Sequence, residues 1–159
     1  MNAKDIMSAP AIVANEETTL ENVARLMLDN GVGCVLIVDD RGRLTGIVTE
    51  SDFIAKRASV PFSMFQAPQL FGHWLPAQEL DKAYAHARQV KAGEVMTRDV
   101  ICVGEDATLR DVVLLMLERR ISRIPVVKEG VLRGIVTRHD LLKTMAQTGH
   151  SPDRTVSDD

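Results

Sequence analysis

The sequence predicts an α/β fold of the α+β type, in which one β-α-β-β-α unit occurs twice and the copies are related by a pseudo-two-fold axis. Three observations carry this expectation. At an offset of 89 residues Ala3 meets Ala92, Met7 meets Met96, Ile12 meets Ile101, Glu16 meets Glu105, Thr19-Leu20 meets Thr108-Leu109 and Leu26-Met27-Leu28 meets Leu115-Met116-Leu117. After one residue is lost in a turn, Gly46-Ile47-Val48-Thr49 meets Gly134-Ile135-Val136-Thr137 and Asp52 meets Asp140, for about twenty identities over some fifty positions. Each copy then runs from helical spacing into two β-branched apolar stretches separated by turn residues. Two occurrences favour a closed pair over a solenoid, which needs three or more repeats. The 159 residues, 45% hydrophobic and 26% charged, suffice for a buried core.

The elements follow in order. Residues 11–14 are apolar and extended. Thr18-Thr19 supply hydroxyls at a helix start, Leu20, Val23, Ala24, Met27 and Leu28 keep helical spacing, and Gly31 sits where a C-terminal glycine ends a helix. Residues 34–38 form a continuous apolar strand, Asp39-Asp40-Arg41-Gly42 has turn chemistry, and residues 43–48 return as the second strand of an antiparallel hairpin. A short helix over 50–57 closes the copy. The second copy repeats this with an extended segment at 100–103, a helix over 108–119, strands at 123–127 and 131–136, and a helix over 138–146.

This divides the chain into a first unit at 1–57, an inserted segment at 58–91, a second unit at 92–146 and a polar, frayed tail at 147–159. The insertion holds five of the six aromatic residues, Phe62, Phe65, Phe71, Trp74 and Tyr84. Pro61, Pro68 and Pro76 break it into short pieces and residues 77–90 favour a helix. Its rings either cover an apolar edge of the module or present a partner surface or lid.

The motifs Gly46-Ile47-Val48-Thr49-Glu50-Ser51-Asp52 and Gly134-Ile135-Val136-Thr137-Arg138-His139-Asp140 resemble the Gly-apolar-apolar-Thr/Ser-x-x-Asp signature of the CBS domain family. The openings Asp5-Ile6-Met7-Ser8 and Glu94-Val95-Met96-Thr97, and Arg123-Ile124-Pro125-Val126-Val127, extend the resemblance from near Ala3 to near Met145. It implies a Bateman module: two units joined through their sheets, binding AMP, ADP, ATP or S-adenosylmethionine in clefts between the units. It also implies a regulatory role toward a partner protein, a homodimer, and no catalysis and no required cofactor.

The residues allow a physical account of such a site. A strand that ends in Thr and turns directly into a helix presents a hydroxyl and free backbone N–H groups to an anion such as phosphate. The Asp three residues on, Asp140 or Asp52, can accept hydrogen bonds from both hydroxyls of a ribose. Arg123 adds a fixed cation, Arg138 and His139 lie inside the second motif, and Ser51 offers the first motif a hydroxyl for phosphate. Ile12-Val13 and Ile101-Cys102 offer apolar strand edges to adenine. The same Thr-x-x-Asp spacing is also a plain N-cap. The copies are unequal: where the second has Ser122-Arg123-Ile124-Pro125, the first has Gly33-Cys34-Val35-Leu36, without the Arg and the Pro. The site around Thr137 and Asp140 is therefore favoured over the one around Thr49 and Asp52.

Other chemistries fit less well. The net charge of −3 opposes a broad nucleic-acid interface. Gly31-Val32-Gly33 follows a helix and lacks a third glycine, so it reads as a helix stop. His73, His86, His139 and His150 show no ligand spacing for a metal. Cys34 and Cys102 read as small buried hydrophobes, and the methionines as core fillers. Without a signal-like or membrane-spanning apolar run, a cytoplasmic location and no membrane association are expected. The alternatives to a ligand sensor are a non-catalytic dimerisation or interaction module with empty clefts, and a small enzyme acting on nucleotides.

Overall fold

Thr19 and Thr108 begin the two long helices by the same local device. In this computed structural model, which describes residues 1–54, 69–70, 73–74, 85–86 and 88–148, each hydroxyl accepts the backbone N–H three residues on, from Asn22 (3.4 Å) and Asp111 (3.2 Å). The elements in chain order are α1 (Ala3–Ile6), β1 (Val13–Ala14), α2 (Leu20–Asn30), β2 (Cys34–Val38), β3 (Leu44–Thr49), α3 (Glu50–Ile54), β4 (Gln69–Leu70), β5 (His73–Trp74), α4 (Ala92–Val95), β6 (Val103–Gly104), α5 (Leu109–Arg119), β7 (Arg123–Lys128), β8 (Val131–Thr137) and α6 (Arg138–Thr148). The α+β class is that expected. Three differences are local. Both copies open with a single helical turn, β1 and β6 shrink to two residues, and α6 continues two residues past the predicted stop.

Phe62, Phe65, Phe71, Tyr84, residues 55–57 of the helix expected at 50–57, most of the helix expected at 77–90 and the tail from residue 149 lie outside the described residues. Within the insertion β4 pairs antiparallel with β5, Gln69 opposite Trp74 and Leu70 opposite His73.

The described chain forms two compact units whose boundaries are offset from the sequence repeat. One comprises Met1–Pro10, Ile101–Lys128 and the described residues from Arg133 onward. Its sheet has the order β6-β7-β8, with β6 parallel to β7. Its core joins Ala3 and Ile6 of the opening turn to Val112 and Met116 of α5 and to Ile124, Val126 and Val136 of the sheet. The opening turn is held by the Ala3 and Lys4 N–H groups on the carbonyls of Ala107 (2.8 Å) and Glu105 (3.1 Å). A Lys4–Asp106 ion pair of 2.8 Å sits at its surface. That contact raises the Lys4 pKa and lowers that of Asp106.

The other unit comprises the described part of Ala11–Val100 together with Glu129–Leu132. Its sheet order is β1-β2-β3, with β1 parallel and β3 antiparallel to β2. Here α4 plays the part of α1: Ala92 is fully buried among Leu20, Val23, Met27, Val35, Ile37 and Val48. The Ala92 and Gly93 N–H groups donate to Thr18 (2.7 Å) and Glu16 (2.9 Å) carbonyls. In the β2-β3 turn the Asp39 carboxylate accepts the Arg43 (3.0 Å) and Arg41 (2.8 Å) backbone N–H groups, which hold its pKa below the ordinary carboxylate value. Each copy's opening turn thus completes the core around the other copy's helix and sheet.

Of the two cysteines Cys34 is buried as expected, but Cys102 is exposed. The correction has a simple cause. Around Val103 alternate residues face inward, so Ile101 and Val103 are half-buried while Cys102 points out, as Val13 does at the matching place. Met27 and Met116 fill the cores as expected.

Two predictions follow from packing and backbone. Ile6→Ala removes a side chain from the core around α5 and should cost about 2–4 kcal/mol. Hydrogen exchange should then accelerate in α5 more than in α2; equal acceleration in both helices would contradict the exchanged assignment. At the end of α5, Arg120 is left-handed (φ 53°) where α2 ends in Gly31 (φ 61°). Because a Cβ is disfavoured there, Arg120→Gly should stabilise by about 1 kcal/mol, read as a rise of roughly 2–4 °C in melting temperature.

Candidate functional site

The junction between β8 and α6 brings four of the expected residues together by chain adjacency. Thr137 ends the strand half-buried, Arg138 and His139 are exposed in the first turn of the helix, and Asp140 is only 5% exposed. The Asp140 carboxylate faces back to the strand end. Its Oδ2 accepts the Thr137 backbone N–H (2.8 Å) and the Thr137 hydroxyl (2.7 Å), and the Asp140 N–H donates to Thr137 Oγ1 (3.4 Å). This is a reciprocal cap that satisfies orphan donors of the first turn. Thr144 Oγ1 donates to the Asp140 carbonyl (2.9 Å), adding a hydroxyl bond inside the helix.

Arg123 reaches this junction through the sheet. The Arg138 N–H donates to the Ser122 carbonyl (3.2 Å), so the start of β7, with half-buried Arg123, lies beside the start of α6. Ile101 is half-buried just before β6 in the same unit.

A residue that sequence reasoning did not assign to the site is Ser8. Its hydroxyl donates to Asp140 Oδ1 (2.9 Å), while its backbone exchanges both hydrogen bonds with Ile135 (2.9 and 3.0 Å). The close crossing explains the glycine of the motif: a Cβ on Gly134 would lie 2.8 Å from the Ser8 carbonyl oxygen and 3.0 Å from Met7 Cγ. The signal was present in the repeated Met-Ser and Met-Thr of the two openings, but nothing in one dimension connects them to the strand they cross.

The corresponding junction of the other unit has the same frame. Thr49 N–H donates to Asp52 Oδ2 (2.8 Å), Thr49 Oγ1 lies 2.8 Å from the exposed Ser51 hydroxyl, and Asp52 is 3% exposed. Thr97 pairs with Ile47 through two 3.0 Å backbone bonds, and a Cβ on Gly46 would lie 2.9 Å from Met96 Cγ. Glu50 N–H donates to Gly33 (3.2 Å), which places buried Cys34 where the other unit has Arg123. Ile12 is half-buried, and its carbonyl accepts the Leu36 N–H (3.0 Å). Among the described residues no three His, Cys, Asp or Glu side chains gather as a metal site, and no helix is long and apolar enough to cross a membrane.

The CBS domain family model matches residues 3–59 and 92–147, the two repeats. The chain belongs to the CBS domain family. An uncharacterized protein of Methanocaldococcus jannaschii, MJ1426, is 34% identical over 156 residues, covering 91% of each chain. Another protein of that archaeon is 35% identical, but this chain spans only 31% of its length. Among solved structures, the CBS domain of a CBS domain containing membrane protein from Sphaerobacter thermophilus has a TM-score of 0.71 at 38% identity, covering 90% of this chain and 86% of that one. The CBS domain pair of protein MJ0100, in complex with 5′-methylthioadenosine and S-adenosyl-L-methionine, has a TM-score of 0.67 at 27% identity, covering 93% and 98%.

The glycine at the crossing supports a direct test. Gly134→Ala should destabilise this CBS-domain chain by about 1–3 kcal/mol, because the opposing Ser8 carbonyl is backbone and cannot move aside as a side chain would. Chemical denaturation measures it, and an unchanged midpoint would show that the crossing has slack.

Proposed function

We propose that the chain is a regulatory module that binds an adenosine-containing ligand, AMP, ADP, ATP or S-adenosylmethionine, at the β8-α6 junction and passes its occupancy to a partner protein. The observation that carries this reading is the placement of Arg123 beside the N-terminus of α6, where Arg138 and His139 are exposed and the Thr137 hydroxyl ends the strand. Fixed positive charge at the positive end of a helix suits a phosphate. Asp140 is the acceptor for ribose hydroxyls, and Ile101 offers an apolar edge to adenine. The ligands of the MJ0100 pair share an adenosyl group and carry no phosphate, which supports a site centred on the nucleoside. The other junction, with Thr49, Ser51, Asp52 and Ile12, is the weaker candidate because Cys34 stands in the place of Arg123.

The role is regulatory rather than catalytic, with no cofactor. Coupling to the partner arises from unequal ligand affinity in two arrangements of the module. Exposed Leu28 on α2 and Leu117 on α5, 81% and 69% exposed at equivalent positions of the repeat, support assembly as a homodimer. A second reading, an interaction module with empty sites, is favoured by one observation: both oxygens of the Asp140 carboxylate already accept hydrogen bonds from the protein.

Melting temperatures with AMP, ADP, ATP and S-adenosylmethionine at about 1 mM separate the two readings. A ligand at about 100 times its Kd adds roughly 2.7 kcal/mol, a rise of several degrees. The rise should vanish in Asp140→Ala and persist in Asp52→Ala. No rise with any of the four would favour the interaction module.

A further inference from the structure

We propose that Ser8 is the internal competitor for the ribose-binding carboxylate, so that a ligand with a vicinal diol must displace the Ser8 hydroxyl and thereby loosen the opening segment Met1–Pro10. The inference rests on the adenosine reading above and adds to it the residue that converts occupancy into a change of packing.

A carboxylate has about four acceptor positions, two on each oxygen. On Asp140, Oδ2 holds two donors, the Thr137 N–H and the Thr137 hydroxyl, and Oδ1 holds the Ser8 hydroxyl. One acceptor position is left. A ligand with a single hydroxyl fits that position, whereas the 2′- and 3′-hydroxyls of a ribose bring two donors, so one present donor must leave.

The three donors are not equally free to go. The Thr137 N–H is backbone at the end of β8, fixed by the sheet. The Thr137 hydroxyl is bound twice, donating to Oδ2 and accepting the Asp140 N–H, and its departure would also open the cap of α6. Ser8 is different. Its side chain turns about a single torsion, and it belongs to a segment 132 residues away from Asp140 in sequence, docked on its own unit by short backbone contacts. Those contacts include the pair with Ile135 and the Ala3 and Lys4 bonds. Asp140 is 5% exposed, so water does not replace Ser8 when it leaves, and the ligand does. The segment that loses this anchor also supplies Ala3 and Ile6 to the core around α5, which gives the signal a route into the body of the unit.

Calorimetric titration of the full chain with AMP, S-adenosylmethionine and 2′-deoxy-AMP, in the wild type and in Ser8→Ala, tests this. With the competitor removed, affinity for AMP and S-adenosylmethionine should rise roughly 2- to 10-fold, while that for 2′-deoxy-AMP stays within about 2-fold. In hydrogen exchange, AMP should accelerate the amides of residues 1–10 in the wild type and leave them unchanged in Ser8→Ala. If the wild type binds and Ser8→Ala binds more weakly or the same, or gains equally for the deoxy compound, Ser8 is not a competitor and the ligand reading stands without it. If AMP leaves the exchange of residues 1–10 unaltered in the wild type, the coupling is overturned. A wild type that binds neither AMP nor S-adenosylmethionine removes the ligand reading and this inference together. Should Ser8→Ala fail to fold, Ser8→Cys, with a thiol that donates weakly, takes its place with the same expected direction.

Discussion

The close crossing of each opening segment over a glycine, Gly134 of β8 or Gly46 of β3, is the constraint on which both units depend. Ser8 and Thr97 each exchange two backbone hydrogen bonds with the isoleucine after that glycine, Ile135 and Ile47. Such a pairing brings one backbone within contact distance of the next, and only a residue without a Cβ leaves room for the methionine and carbonyl that arrive there. Once the segment is fixed, Ala3 or Ala92 enters the core with no exposed surface and the first helical turn can close. The apolar faces of α2 and α5 would otherwise lack one wall, since three strands and one helix do not cover them.

The same crossing shapes the chemistry of the junction. A strand that ends in Thr and bends at once into a helix leaves unsatisfied N–H groups, and the Asp one turn on meets part of that need by capping back onto the strand end. Capping and ligand binding are therefore not alternatives in structural terms. A capping carboxylate is held in a fixed direction, and a fixed acceptor is what a ligand hydroxyl recognises at the lowest entropic cost. What differs is which of its acceptor positions remain open, and at Asp140 that depends on a serine contributed from the far end of the chain.

The two units use one frame with unequal fittings. Arg123 and Pro125 in β7 stand against Cys34 and Leu36 in β2, and Arg120 in a left-handed conformation stands against Gly31. The first pair of differences gives one junction Arg123 where the other has Cys34. The second has an energetic cost that no contact given among the described residues explains. Duplication followed by divergence of this kind leaves the fold intact, because the core positions Val23, Met27 and Val48 keep their residue types at Val112, Met116 and Val136.

The sequence by itself determined the class of fold, the two long helices with their caps, the hairpin strands and the Thr-x-x-Asp junctions. All of these rest on neighbours within about one or two helical turns or on short apolar runs bounded by turn residues, and the internal repeat read each of them twice. It also carried the inequality of the two junctions, which is a matter of residue identity. Tertiary structure alone decided where Met1–Pro10 and residues 92–100 dock, that Cys102 faces outward, and that Ser8 sits on Asp140. These depend on backbone pairings between segments fifty or more residues apart in one case and more than a hundred in the other. No local periodicity records such pairings, because the chain entropy lost in bringing the segments together is recovered only by contacts that exist once both have folded.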